Sequence, residues 1–248
     1  MTTFLLVHGA FTGGWYWARV RDRLQAAGHA VFTPSLTGSG DRAHLLTRGV
    51  TLQTHIQDIV ELLAREDLHE VVLVGHSYGG MVITGVADRD PARLARLVYL
   101  DAAYPTSGQN AAGGFAEGTG DKLDAMAAAN PDDTSWLLPP LPLSAYGVTD
   151  PADLAWVGER RTAHPLPTLN EAHFLRNPTP ALPRHYVRCT QRQGLVGLFG
   201  VDPLQPMYER AVADGLTIAT IDAGHDAMVT APDQVTQALL TAAGHAAV

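Results

Sequence analysis

Apolar runs of strand length alternate with stretches of helical period along most of this chain. The runs are Thr3–Val7, Ala30–Pro34, Glu70–Gly75, Arg96–Asp101, Arg184–Thr190 and Leu216–Asp222. Between two of them, Leu52, Ile56, Ile59, Val60 and Leu63 fall on one helix face. A second helix opens directly after Gly75–Ser77, and a third occupies residues 231–243. Strands alternating with helices predict an α/β domain with a mostly parallel sheet covered by helices. The alternation breaks over residues 105–183, where Gly, Pro, Ala and Asp accumulate. Such a stretch is too long for a plain connection in a compact domain. It reads as a small helical lid inserted between the fourth and fifth strands, with helical pieces at 150–161 and 167–177. Residues 1–104 and 184–248 then form the core. The lid's large apolar residues, among them Trp136, Leu138, Leu141, Tyr146, Trp156 and Phe174, are candidates either to anchor the lid or to line a pocket. Anchoring is the commoner role for any one of them.

Composition narrows the partners. The net charge is −8 and the single lysine is Lys122. No basic stripe exists to neutralise phosphates, which argues against nucleic acid. No stretch reaches the ~18 apolar residues of a membrane span, and the N-terminus carries no signal-like pattern. Cys189 is the only cysteine, so no internal disulfide forms and a reducing compartment is permitted. The expectation is a cytoplasmic protein with no membrane or nucleic-acid partner. Its ligand is a small molecule, and a homodimer is left open.

The strongest chemical signal is VVLVGHSYGG at 71–80. It runs strand, then Gly75-His76-Ser77-Tyr78-Gly79, then helix, which is G-x-S-x-G in the context that gives it meaning. A nucleophilic serine must stand clear of the sheet on a tight turn. The crowding of that turn demands small residues two before and two after. The helix N-terminus beyond it favours developing negative charge. The bland alternative, a structural serine on a glycine-rich turn, explains the glycines but not the flanking strand and helix. An oxyanion needs two donors. One candidate is the Tyr78 N–H; the other lies in the loop HGAFTGGWYW (8–17), at Ala10 with Phe11 next. His8 is expected to brace that loop rather than react.

Among eleven histidines, only His225 sits just after the last strand and before the last helix, where the order Ser…His places a base. A lone loop histidine is ordinarily just surface; position and the preceding Gly224 favour the base. The acid is harder to place. Asp101 lies at the tip of the strand after the nucleophile helix, and the rival reading is an aspartate capping the lid's first turn. The next strand's tip offers Thr190, Gln191, Arg192 and Gln193 but no carboxylate. Asp202 is the second choice. The candidate set is therefore Ser77, His225 and Asp101 as catalytic residues, Ala10 and Tyr78 as oxyanion donors, and Phe11, Trp136 and Tyr146 as substrate contacts.

Together HGAFTGGWYW, LTGSGDRAHL, VVLVGHSYGGMV and AGHDAMV resemble the plant methylesterase and hydroxynitrile lyase branch of the α/β-hydrolases. They resemble bacterial esterases of that branch more closely still. The resemblance covers most of the chain outside the lid and implies an α/β-hydrolase fold with Ser77 as nucleophile and His225 as base. Two departures matter. The plant members place the acid where this chain has Arg192, which favours Asp101. The lyases carry a threonine and a lysine where this chain has Gly9 and Asp226, which favours hydrolysis. The expected activity is cleavage of small hydrophobic carboxylic esters through an acyl-enzyme, without metal or cofactor. Lactone, amide or carbon–carbon bond hydrolysis on the same triad are alternatives, ahead of lyase activity or a non-catalytic ligand-binding role. An elbow aspartate would be needed for the usual epoxide hydrolase or dehalogenase mechanism, and Ser77 excludes it.

Overall fold

The structure, a computed structural model, describes residues 1–131, 133–177 and 181–245. Positions 132 and 178–180 of the expected lid therefore lie outside the described residues. Eight strands occur among those described: β1 (Thr3–Val7), β2 (Ala30–Phe32), β3 (Val71–His76), β4 (Leu94–Leu100), β5 (Leu137–Leu138), β6 (His164–Pro165), β7 (Arg184–Cys189) and β8 (Thr217–Ile221). Six form one parallel sheet in the order β2-β1-β3-β4-β7-β8; β5 and β6 pair separately and antiparallel.

The middle strands are apolar at consecutive positions because both faces are covered. Along β1, Leu5 and Val7 join one apolar cluster, while Phe4 and Leu6 join the other. Helices α2 (Leu52–Arg65) and α3 (Gly79–Arg89) cover the first face; α1 (Ala18–Ala26) lies on the second. The apolar stripe predicted at Leu52, Ile56, Ile59 and Leu63 is buried, and Thr51 with Thr54 forms a capping box at the start of α2. α3 is buried along most of its length because it is sandwiched between the sheet and α2. A Cβ at Gly85 would come within 2.2 Å of Ile56 Cδ1, so α2 can only pack this closely on a glycine.

Residues 105–183 contribute no strand to the main sheet among the described residues. They contain α4 (Ala111–Gly114), α5 (Thr119–Ala128), α6 (Pro151–Gly158), α7 (Pro167–Asn170) and the β5–β6 pair. The helix expected over 167–177 stops at Asn170. Beyond it, the His173 backbone exchanges hydrogen bonds with Gly108 and Gln109 at 2.8 and 3.1 Å, committing it to an extended pairing. After β7 follow α8 (Gln193–Phe199) and α9 (Gln205–Ala213), and after β8 come α10 (Ala227–Thr230) and α11 (Pro232–Ala242). No helix among the described residues is long and apolar enough to cross a membrane.

Candidate active site

Ser77 sits between β3 and α3 with φ +53°, a left-handed conformation that a residue other than glycine holds only when its surroundings impose it. The surroundings are backbone. A Cβ at Gly75 would lie 2.6 Å from Gly79 O, and one at Gly79 would lie 2.8 Å from Val7 O. The Ser77 carbonyl accepts from Gly80 N at 3.1 Å and Ala103 N at 2.9 Å. Three segments thus clamp the turn.

Asp101, at the end of β4, is fully buried and also has positive φ, +43°. Its N–H donates to Val187 O at 2.7 Å, and its Oδ1 accepts from Cys189 N at 3.3 Å. β7 therefore aims the carboxylate. Asp101 Oδ2 lies 2.6 Å from His225 Nδ1, although 124 residues separate them in sequence. His225 occupies the loop after β8. Its carbonyl accepts from His76 Nε2 at 3.0 Å, and the next residue's N–H donates to Tyr146 O at 3.0 Å. Ser77 and His225 line the same cavity.

Two arginines share Asp101. Arg192 Nη1 donates to the Oδ2 that faces His225, at 2.5 Å, and Arg188 Nη1 stands 3.7 Å from Oδ1. Asp202, the second candidate acid, is turned to these arginines. It accepts from Arg192 Nη2 and Nε at 2.7 and 2.9 Å, and it also accepts from Arg188 Nη2. Burial alone would raise the Asp101 carboxyl. The His225 hydrogen bond and the arginine charges override it and hold the carboxyl well below the usual range.

The first loop packs against the elbow. A Cβ at Gly9 would reach within 2.9 Å of Ser77 Cβ, so this position admits no side chain. His8 braces the loop: its Nδ1–H donates to Gly9 O at 2.7 Å and its Nε2 accepts from Leu36 N at 3.0 Å. Burial lowers its pKa to about 4, consistent with this neutral tautomer. Tyr78 donates its hydroxyl to His55 Nδ1 at 2.8 Å. The side chain is thereby held back from Ser77 in the wall.

Two chambers open on Ser77. The larger, of about 530 Å³, is almost wholly apolar. Ala10, Phe11, Tyr78 and Tyr146 line it. Leu138 and Leu141 from the inserted segment face Leu195 and Phe199 of α8 across it. α8 falls within residues 184–248, the span expected from the sequence to be core, yet it shares this wall with the inserted segment. The smaller chamber, of about 270 Å³, mixes polar and apolar surface and is bounded by Thr12, Tyr16, Tyr146, Arg161 and Asp226. Burial raises the Asp226 carboxyl against the opposing pull of His225 and of a hydrogen bond from Tyr16. Arg161 lies over the Phe11 and Tyr146 rings at 5.3 and 5.6 Å, and its Nη2 is buried without a partner.

Trp136 departs from expectation. It lines neither chamber: its Nε1 donates to Asp133 O at 2.9 Å, and its ring carries Arg48 at 5.7 Å. The indole is spent pinning the lid's outer surface. Trp156 packs edge-on against Trp15 at 5.4 Å, and Phe174 is 76% exposed. Arg161 and the α8 residues were given no role by the sequence, and Asp226 entered only as the residue standing where the lyases carry a lysine. Arg161 carried no signal there beyond being a charged residue in the inserted segment.

A parallel sheet with a strained serine between strand and helix, and a strand-end carboxylate bonded to a loop histidine, defines a hydrolase-type α/β protein. The chain belongs to the alpha/beta hydrolase family, whose profile matches residues 4–238. It is 36% identical over 96% of its length to the carbendazim hydrolyzing esterase of Nocardioides sp. (strain SG-4G), covering 98% of that protein. Over 43% of the chain it is 37% identical to salicylic acid-binding protein 2 of Nicotiana tabacum, covering 42% of that protein. Among solved structures, an extracellular α/β-hydrolase from a Paenibacillus species superposes with a TM-score of 0.83 at 22% identity, over 98% of this chain and 99% of that one. The fold is thus shared at low identity.

Proposed function

We propose that the protein hydrolyses carboxylic esters by acyl transfer to Ser77. The observation that carries this reading is the 2.6 Å contact between His225 Nδ1 and the buried Asp101 carboxylate beside the strained Ser77 turn. His225 Nε2 removes the Ser77 proton, and Oγ attacks the ester carbonyl. The backbone amides of Ala10 and Tyr78 receive the oxyanion. The tetrahedral adduct collapses, and His225 protonates the departing alkoxide. Water, deprotonated by the same histidine, then releases the acid and restores Ser77. Asp101 keeps the imidazole in one tautomer throughout.

The chambers set the substrate. One arm of the ester is apolar, matching the chamber lined by Leu138, Leu141, Leu195 and Phe199, and the other is small enough for the chamber that Arg161 and Asp226 bound. Carbendazim, named for the relative, belongs on the panel for this reason. The test is hydrolysis of p-nitrophenyl esters from acetate to decanoate, with carbendazim alongside, by wild type and Ser77→Ala. Turnover on the esters that vanishes in Ser77→Ala supports the reading. Turnover that survives in Ser77→Ala, or none on any ester, overturns it.

A further inference from the structure

The Asp101 carboxylate is surrounded by more charge than holding a histidine requires. Asp101, Arg188, Arg192 and Asp202 form a closed buried group, with side chains 0%, 7%, 14% and 12% exposed. Arg192 is its hinge. Nη1 bonds the same Asp101 oxygen that faces His225, while Nε and Nη2 fork onto Asp202. Arg188 Cζ lies over the Tyr208 ring, 4.8 Å from its centroid, and its guanidinium donates to Gln205 Oε1 at 3.0 Å. Two guanidinium and two carboxylate charges cancel.

We infer that Arg192 is a positioning residue for the Asp101–His225 pair, and that the buried four-charge group taken together with His225 is neutral only while the imidazole is uncharged. The inference rests on the Ser77–His225–Asp101 reading and adds a regulator to it. An Asp–His pair alone carries a net negative charge that draws a proton onto the histidine. Here that charge is cancelled in advance by the two arginines. Burial is what makes the balance matter, because charges a few ångströms apart are weakly screened there.

The other titratable groups against His225 are distributed around it. The rings of His76 of β3 and Tyr146 of the inserted segment lie 4.6 and 5.2 Å from it, each tilted by 42°. Asp226 is next in the chain and feels the Arg161 charge, and Cys189 of β7 lies against Asp101. All of these residues are kept in every variant, and Cys189, whose thiol burial pushes up, stays protonated with or without Arg192. Differences between variants therefore report the group itself.

The experiment is the pH profile of kcat/KM for p-nitrophenyl acetate. Arg192→Met leaves an uncancelled negative charge, and the acid limb should move up by about one pH unit. Asp202→Asn leaves an uncancelled positive charge, and the limb should move down by about as much. Arg192→Met with Asp202→Asn restores the balance, and the limb should return near its wild-type place. Should Arg192→Met not fold, Asp202→Asn and the double variant still carry distinct expectations, a limb moved down and a limb left in place. Limbs that stay fixed, or that move the same way in both single variants, would show a merely structural role and overturn the inference. A wild type whose turnover does not depend on Ser77 defeats the triad reading instead, so the two failures are distinguishable.

Discussion

Ser77 stands between two walls built by different rules. One is made of strand ends: the elbow after β3, Asp101 after β4, the β7 amide that aims it, and His225 after β8. The other is made by the inserted segment and α8, where Leu138, Leu141, Leu195 and Phe199 present interchangeable apolar surface. In the first wall each residue is held by backbone hydrogen bonds or by close approach that forbids a larger neighbour. In the second, any side chain of suitable volume serves. The difference teaches where specificity of chemistry and specificity of substrate reside. On the proposed function, substitution in the strand-end wall is expected to cost rate and substitution in the inserted segment's wall to change preference.

Substitutions should separate the walls by size of effect. Asp101→Asn keeps the shape but presents an amide to His225 Nδ1 and leaves Arg192 and Arg188 short of a charge. We expect kcat to fall on the order of 10²–10⁴-fold with the fold retained by circular dichroism. Asp202→Asn should cost far less; equal losses would place the acid wrongly.

The strand-end wall should also be the acid-sensitive one. His8, after β1, and His76, at the end of β3, are buried there, and burial lowers both. The sign follows from linkage. The unfolded chain binds protons near pH 6.5, while folded His8 resists until about pH 4, so stability is full above pH 6.5 and is lost as pH falls through that window. His8 alone contributes about 3 kcal/mol of this loss. Urea midpoints at pH 7 and pH 4.5 check it, and a flat profile would contradict neutral buried histidines.

Changes in the lid wall should be smaller and should alter preference rather than rate. Leu138→Ala enlarges the apolar chamber, so the optimum should move to longer acyl chains with kcat/KM on the best ester changing by only about 3–10-fold. Trp136→Ala, outside both chambers, should leave that preference unmoved. A shifted optimum in Trp136→Ala would erase the boundary drawn between lining and anchoring residues.

The same contrast explains what was legible in the sequence. Strand and helix alternation disclosed the parallel sheet, because buried strands and amphipathic helices impose periods on the residues. Ser77 was legible because its turn needs glycines at fixed offsets. His225 and Asp101 could be named from chain order and strand ends, though their 2.6 Å contact depends on β4, β7 and β8 lying side by side. Arg192 was visible only as the absence of a carboxylate. Its bonds to Asp101 and Asp202 arise from a loop folding back, which no local pattern encodes. The lid was the least legible part. Trp136, Trp156 and Phe174 have the same apolar character as Leu138 and Leu141, and only packing decides which of them faces the substrate.

The most direct test of the central claim is covalent. Wild type is treated with a fluorophosphonate, digested, and mapped by mass spectrometry while ester hydrolysis is followed. The account predicts one adduct per chain, on Ser77, appearing in step with the loss of activity, and strongly slowed labelling in Asp101→Asn. Activity that persists while Ser77 is fully modified, or inactivation with the adduct on another residue, would contradict it.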